Sequence, residues 1–282
     1  MSPPQDEPAK GLADEWPGHL PAPRTATRLD DGWVGQTWVV TLDDARQVVV
    51  KRSPHPAAAE ADGLAALRAA RVPVPEVLGV HGHTLVLARI VAQGPPPDDA
   101  DWSTLGRAVA GMHQVTFDRF GWHRDNHAGR FPQPNPWTAD WPTFFAEHRV
   151  RVHLDDPMIP APLRRRLERA CGGPIQQRLR PDPPASLTHG DLWMGNTIAG
   201  RWIVDPEVSA ADHELDLAYM QMSTRRPFPA AFWRGYREVA DLPPGFPERR
   251  PVLQLHHRLL QLRHFGAGQL PPLRRTLDDL GW

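Results

Sequence analysis

The stretch 187-LTHGDLWMGNTIAGRWIVDPE-207 decides how this chain is read. A tight polar segment, His189-Gly190-Asp191, is followed five residues later by Asn196, then by a short turn and the apolar run 202-WIV-204, which ends at Asp205. The pattern predicts a β-hairpin with two acids and an amide gathered around it. A carboxylate at the start of a tight loop, Asp191, can accept a proton from a substrate hydroxyl. The Asn196 amide oxygen can turn back toward the same space and ligate a hard cation, and Asp205 projects into it from a strand end. An amide and a carboxylate completed by water suit Mg²⁺, which prefers oxygen ligands and gives up its waters reluctantly. A base for the hydroxyl and metal ligands for the phosphates are what phosphoryl transfer needs, together with a cationic clamp.

The clamp candidate is Lys51, at the end of the valine run 48-VVV-50, with Glu60 on the following helix placed to pair with it and fix the ammonium. Taken alone, a strand lysine is commonly a surface residue, and a glutamate in an Ala-rich helix a solvated one. A strand lysine, a helix glutamate, D-x-x-x-x-N and a strand-end aspartate in this order form the kinase set. Between the first two strands, 30-DDGWVGQT-37 carries only Gly32 and Gly35. It is either a phosphate-covering loop, with N–H groups near Val34 to Thr37 on phosphate, or an ordinary hairpin turn.

Working outward, 25-TATRL-29, 37-TWVVTL-42 and 47-QVVVK-51 read as an antiparallel meander, with 43–46 as its last turn. A helix is expected over 57–70, ended by Val72-Pro73-Val74-Pro75, and a strand pair over 76–80 and 84–90. At 94-GPPPDD-99 the composition shifts and helical spacing takes over: Leu105, Val109 and Met112; Phe144, Phe145 and Val150; Val252, Leu255, Leu259 and Leu262. These stripes are read as core. The expected architecture is α+β and bilobal: a poorly ordered segment 1–24, a small antiparallel-sheet N-lobe over 25–93, and a larger, mainly helical C-lobe over 94–282.

Bulk composition narrows the function classes. The 282 residues are 40% hydrophobic and 23% charged, with a formal net charge of -1, so global charge gives no case for nucleic acid or an anionic membrane. No apolar run approaches the ~20 residues of a membrane span, and no secretory signal is visible, so a soluble, cytoplasmic chain is expected. A single cysteine, Cys171, excludes an intramolecular disulfide framework and is expected to be merely packed. Among 14 histidines, His123 and His127 have helical zinc-ligand spacing, but their surroundings read as a loop without a third ligand.

HGDLWMGN followed by VDPEVSAADHELDLAYMQM resembles the fructosamine kinases, within the larger aminoglycoside-phosphotransferase and protein-kinase-like group. So do 120-FGWHRDNHAGRFPQPNPWTADWPTFFAEHRV-150, 231-AFWRGYREVADLPPGF-246 and 252-VLQLHHRLLQLRHFG-266, and the resemblance covers most of the chain from about residue 25. The Trp after HGDL and the PQPN element separate it from generic antibiotic kinases. The resemblance implies a protein-kinase-like fold and transfer of the γ-phosphate of ATP to the 3-hydroxyl of a ketosamine on a lysine or free amine. The phosphorylated adduct is unstable and leaves, so the implied activity is deglycation.

Carried over residue by residue, Asp191 is the base, Asn196 and Asp205 are the Mg²⁺ ligands, and Lys51, oriented by Glu60, binds phosphate. The adenine is expected against backbone groups of Leu87, Ala88, Arg89 and Ile90. Asp216 resembles the acid that braces the catalytic loop, unless it is a helix cap, and His189 is expected to be structural. Trp193 is either an acceptor platform or a core tryptophan. Asn126, Gln133 and Asn135 are either sugar ligands or turn-forming amides. Met194 stands where the family often has Ser, and the glycine loop lacks the Cys of some relatives, so no redox control through a loop disulfide is expected. The competing readings are a kinase of another small hydroxyl compound such as an aminoglycoside, for which Asp140, Glu147, Asp155 and Asp156 offer acids, and a catalytically silent nucleotide-binding protein. The oligomeric state is left open.

Overall fold

Alternation along the chain builds the first lobe. Val48 and Val50 are buried on one face of their strand, so Val49 and Lys51 must face the other. A computed structural model describes residues 7–29, 34–91, 94–222 and 226–282. In it β1 (Glu7–Pro8), β2 (Pro23–Leu29), β3 (Gln36–Leu42), β4 (Gln47–Arg52), then, after helix α1 (Ala58–Ala69), β5 (Val77–His81) and β6 (Thr84–Ala88) form one antiparallel sheet. The order is β1-β2-β3-β4-β6-β5. Helix α1 lies on the Val49/Lys51 side, with Leu64 and Leu67 buried. The loop between β2 and β3 lies outside the described residues from Asp30 to Trp33, so the expectation for Gly32 is not addressed.

The opposite face of that sheet is covered by the N-terminal segment. Segment 1–24 is expected to be loose or only partly helical; its described part, from residue 7, includes a 3-10 helix, Ala9–Glu15, and packs on the sheet. Leu12 is buried in a cluster with Val40, Leu42, Val48, Val50 and Val86, and Trp16 and Leu20 pack against it. Trp16 Nε1 donates to the Pro21 carbonyl at 3.1 Å, and Arg52 donates to the Gly11 carbonyl at 2.8 Å. The physical reason is the sheet's second apolar face, which would otherwise stand in water.

The second lobe opens with α2 (Asp99–His113), whose start is closed by a reciprocal capping box between Asp98 and Asp101. It continues through β7 (Thr116–Phe117), β8 (Asn126–Ala128), β9 (Phe131–Gln133), α3 (Trp141–Phe145), α4 (Ala161–Cys171), α5 (Pro174–Arg178), β10 (Ala185–Thr188), β11 (Thr197–Ile198), β12 (Trp202–Ile203) and β13 (Ser209–Ala211). Helices α6 (Glu214–Met220), α7 (Ala230–Arg237), α8 (Phe246–Phe265) and α9 (Leu270–Asp279) complete it. Every residue of the expected helical stripes is buried. Strands β13, β10 and β7 form a small sheet that launches the 187–207 stretch, and β11 pairs with β12 as its hairpin. Cys171 is buried, and burial pushes its thiol up to about 11. No helix among the described residues is long and apolar enough to cross a membrane.

Candidate active site

Strand β10 delivers His189, Gly190 and Asp191 to a sharp turn. Gly190 has φ +85°, and a Cβ on it would run into the Glu207 carbonyl, so only glycine lets the turn close on the strand opposite. The buried Asp216 carboxylate holds this turn, accepting from His189 N at 2.7 Å and from Gly190 N at 2.9 Å. Burial opposes its charge, but His113 and the loop donors outweigh burial and hold the carboxyl below its ordinary range. Asp191 N lies 3.2 Å from His189 Nδ1, and His189 Nε2 lies 3.1 Å from the Val204 carbonyl. A backbone N–H can only donate, so Nδ1 accepts and the proton sits on Nε2. The ring is neutral, and burial lowers its pKa.

Asn196 Nδ2 donates to both the Asp191 carbonyl, at 2.8 Å, and Asp191 Oδ2, at 2.7 Å. Burial pushes the Asp191 carboxyl up to about 7, opposed by the Asn196 hydrogen bond and reinforced by the charge of Asp205. Such a group exchanges a proton near neutral pH. Across the cleft, Lys51 Nζ lies 2.5 Å from Glu60 Oε1 and 2.5 Å from Asp205 Oδ1. Burial works against the Lys51 charge, but the two carboxylates outweigh it and hold the ammonium above its ordinary range. Asp205 is pushed up by burial and down by Lys51, and the lysine wins. Burial keeps Glu60 raised despite Lys51. Asp205 is also left-handed, with φ +60°, a costly conformation for a residue with a Cβ.

The donor set fits a hard cation. Asn196 Oδ1 and Asp205 Oδ2 accept no hydrogen bond among the described residues. Among those residues no three His, Cys, Asp or Glu side chains converge as a metal cage. An amide oxygen and a carboxylate oxygen are the donor types that suit a hard cation completed by phosphate and water.

Two cavities meet at Thr37, Lys51, Glu60 and Asp205. The first, about 350 Å³, is walled by Val39, Val49 and Leu64 and edged by Leu87, Ala88, Arg89 and Ile90, where the chain leaves β6. The second, about 240 Å³, is lined by Gly35, Asn126, Asp191, Trp193, Asn196 and Glu207, among others. Trp193 is part-exposed and stands outside the buried core, its ring pressed on Gly195 so closely that a Cβ there would enter it. His55 of the first lobe stacks on His127 of the second, ring centroids 3.6 Å apart, across this cavity.

Two of the three amides expected on substrate are elsewhere. Asn126 and Gln133 are partners in the β8–β9 register, so their side chains share a face and meet, Gln133 Nε2 donating to Asn126 Oδ1 at 2.9 Å. Asn135 donates to the same oxygen at 3.0 Å and accepts from Arg149 at 2.6 Å. Gln133 and Asn135 are buried behind Asn126 and do not line the cavity, and Asn126 spends its own Nδ2 on the Val208 carbonyl at 2.9 Å. They make a buried amide network that shapes the wall.

Sequence reading overlooked three participants. His113, buried on α2, lies 3.2 Å from Asp216 Oδ2 and 2.9 Å from the Tyr236 hydroxyl, supporting the brace from behind. Tyr219 stacks on His257, centroids 3.7 Å apart, and His257 Nε2 lies 3.0 Å from the Gly190 carbonyl. Glu207 lines the smaller cavity and accepts from Gly129 N at 3.0 Å. Burial, then the Asp191 charge, raise its carboxyl well above the ordinary range. Only Glu207 had a visible signal, as a second acid two residues after Asp205.

The model of the family described as fructosamine kinase matches residues 10–280. The probable ketoamine kinase slr1563 of Synechocystis sp. is 35% identical over 259 residues, covering 86% of this chain and 83% of that one. The probable ketoamine kinase YniA of Escherichia coli K12 is 37% identical over 231 residues, 79% of each chain. The crystal structure of a candidate fructosamine-3-kinase from Thermobifida fusca superposes with a TM-score of 0.82 at 26% identity, covering 96% of this chain and 97% of that one.

Proposed function

The chain belongs to the fructosamine kinase family, and from that premise we propose that it transfers the γ-phosphoryl group of ATP to the 3-hydroxyl of a ketosamine, in the cytoplasm. The observation that carries the reading is the meeting of two cavities at Lys51 and Asp205, with Asp191 and Asn196 on the smaller side. The larger, apolar cavity takes the adenine against Leu87 to Ile90. The smaller takes the sugar, with the exposed face of Trp193 against its apolar side. The first lobe then holds nucleotide and the second holds acceptor.

Within that arrangement Asp191 takes the hydroxyl proton as its oxygen bonds to the γ-phosphorus, and the bond to the bridging oxygen of ADP breaks. Its raised pKa suits a base working near neutrality. Lys51 is cocked between Glu60 and Asp205, so its ammonium is already positioned where phosphates arrive. Asn196 and Asp205 would hold Mg²⁺, which when bound neutralises charge on the phosphates. Asp216 fixes the turn through two backbone donors, so Asp191 does not have to be ordered by substrate.

The acids that the sequence offers to a polycationic aminoglycoside are committed elsewhere. Asp140 caps α3, Glu147 pairs with Arg151 and Asp156 with Arg263, and neither these nor Asp155 line either cavity. The test is to incubate the protein with ATP, Mg²⁺ and fructosyl-lysine and follow the sugar phosphate by phosphorus NMR. A phosphate ester on the ketosamine is expected. No transfer there, with transfer to an aminoglycoside instead, overturns the reading.

A further inference from the structure

We infer that Glu207 is the counter-ion for the amine nitrogen of the acceptor, and so sets the preference for a charged ketosamine over an uncharged sugar. The inference rests on the ketosamine reading above and deepens it.

Glu207 is built into the catalytic turn. Its N–H donates to the His189 carbonyl at 2.8 Å, Pro206 stiffens the chain before it, and its carbonyl abuts Gly190. Gly129 N holds one carboxylate oxygen, Oε1, at 3.0 Å; the other makes no hydrogen bond among the described residues. Nor does any Lys, Arg or His among them form an ion pair with Glu207. Arg149, the cation that could have done so, spends its N–H groups on Pro134 O, His148 O and Asn135 Oδ1. Arg149 acts on Glu207 only through its field, without a hydrogen bond, and an enclosed carboxylate with no cation in direct contact is expensive to keep charged unless something supplies one. Glu207 shares its cavity with Asp191 and Trp193, so the charge has a place to sit beside the base. A neutral sugar would need only hydroxyl partners there. A ketosamine differs from it in a protonated secondary amine, separated from the 3-hydroxyl by three carbons. With that hydroxyl on Asp191, the ammonium falls within the same small cavity.

The test compares fructosyl-lysine with its thioether isostere, which carries sulfur in place of the amine, on wild type and Glu207→Gln. Gln keeps the shape and the Gly129 hydrogen bond but loses the charge. The preference for amine over thioether, taken as a ratio of kcat/KM, should fall about tenfold to a hundredfold, with the KM for ATP unmoved. An unchanged ratio overturns the inference, because both acceptors then feel Glu207 only as structure. A raised Mg²⁺ requirement with an unchanged ratio makes Glu207 a metal ligand and overturns it equally. Wild-type protein that phosphorylates neither compound overturns the ketosamine reading and this inference together. Wild type that phosphorylates both compounds equally well, with no preference for the amine, overturns the inference alone.

Discussion

Asp191 and Trp193 sit two residues apart, lining one cavity, and should fail differently when changed. Asp191→Asn keeps the Asn196 contact region but removes the proton acceptor. We expect kcat to fall by about 10²- to 10⁴-fold, with nucleotide affinity, measured by titration calorimetry, little altered. Loss of ATP binding to the same degree would mean that Asp191 holds nucleotide instead. Trp193→Ala removes a ring that the core does not need. The acceptor KM should rise about threefold to tenfold while the KM for ATP stays put; equal rises in both would return the ring to a structural role. Asn135→Ala should behave like neither. It removes the side-chain acceptor of Arg149 Nη2, while Nη1 keeps the Pro134 and His148 carbonyls, so stability should drop by about 1–3 kcal/mol in urea unfolding, without a selective rise in acceptor KM.

At the scale of elements, two close fits position the site. Helices α2 and α7 touch backbone to backbone: a Cβ at Gly106 would collide with the Phe232 carbonyl and one at Gly235 with the Ser103 carbonyl. Because α2 also carries His113 to the Asp216 brace, this contact reaches the catalytic turn through one side chain. The second fit is the N-terminal cover on the sheet. Leu12→Ala opens the cluster around Val40, Val48 and Val50, and should cost about 2–5 kcal/mol, read as a lower urea midpoint. A midpoint unchanged by this substitution would mean that the segment does not pack in solution. Proline content hid this element: Leu12, Trp16 and Leu20 recur every four residues, but Pro17 and Pro21 break the run after one short 3-10 helix, Ala9–Glu15.

Across the whole molecule, the lobes are tied beside the cleft by the Lys51–Asp205 pair, by the His55–His127 stack and by Ile203 N donating to the Pro73 carbonyl at 2.9 Å. Behind the catalytic turn lies a buried group of neutral histidines. Burial, then the Arg263 charge, push His153 down to about 3, and burial takes His257 to about 4. An unfolded histidine titrates near 6.5, so between those values the unfolded chain binds protons that the folded chain refuses. Their contribution is complete above pH ~6.5 and is lost as pH falls, by roughly 1.4 kcal/mol per pH unit for each histidine. Asp191, raised to about 7, acts in the opposite sense, so the clean measurement is a difference. The stability advantage of wild type over His153→Gln should shrink steadily from pH 6.5 to 4.5 in urea titrations. A constant difference over that range would refute the neutral buried state.

What the sequence determined by itself is local. The valine alternation placed Lys51 on the face of α1, the helical stripes placed the second-lobe core, and the run from His189 to Asp205 put Asp191, Asn196 and Asp205 into one short stretch around a hairpin. In each case neighbours in sequence are neighbours in space, so period and spacing carry the geometry. Tertiary structure alone decided which polar groups meet the cavity. Asn126, Gln133 and Asn135 looked equivalent until strand register set Gln133 behind Asn126, and Arg149 held Asn135 from across the fold. Glu207 became a cavity residue because Gly129, 78 positions away, donates to it, and His113 became a brace because α2 crosses behind Asp216. A side chain's partner across such a separation depends on how whole elements pack, and no local pattern records that choice.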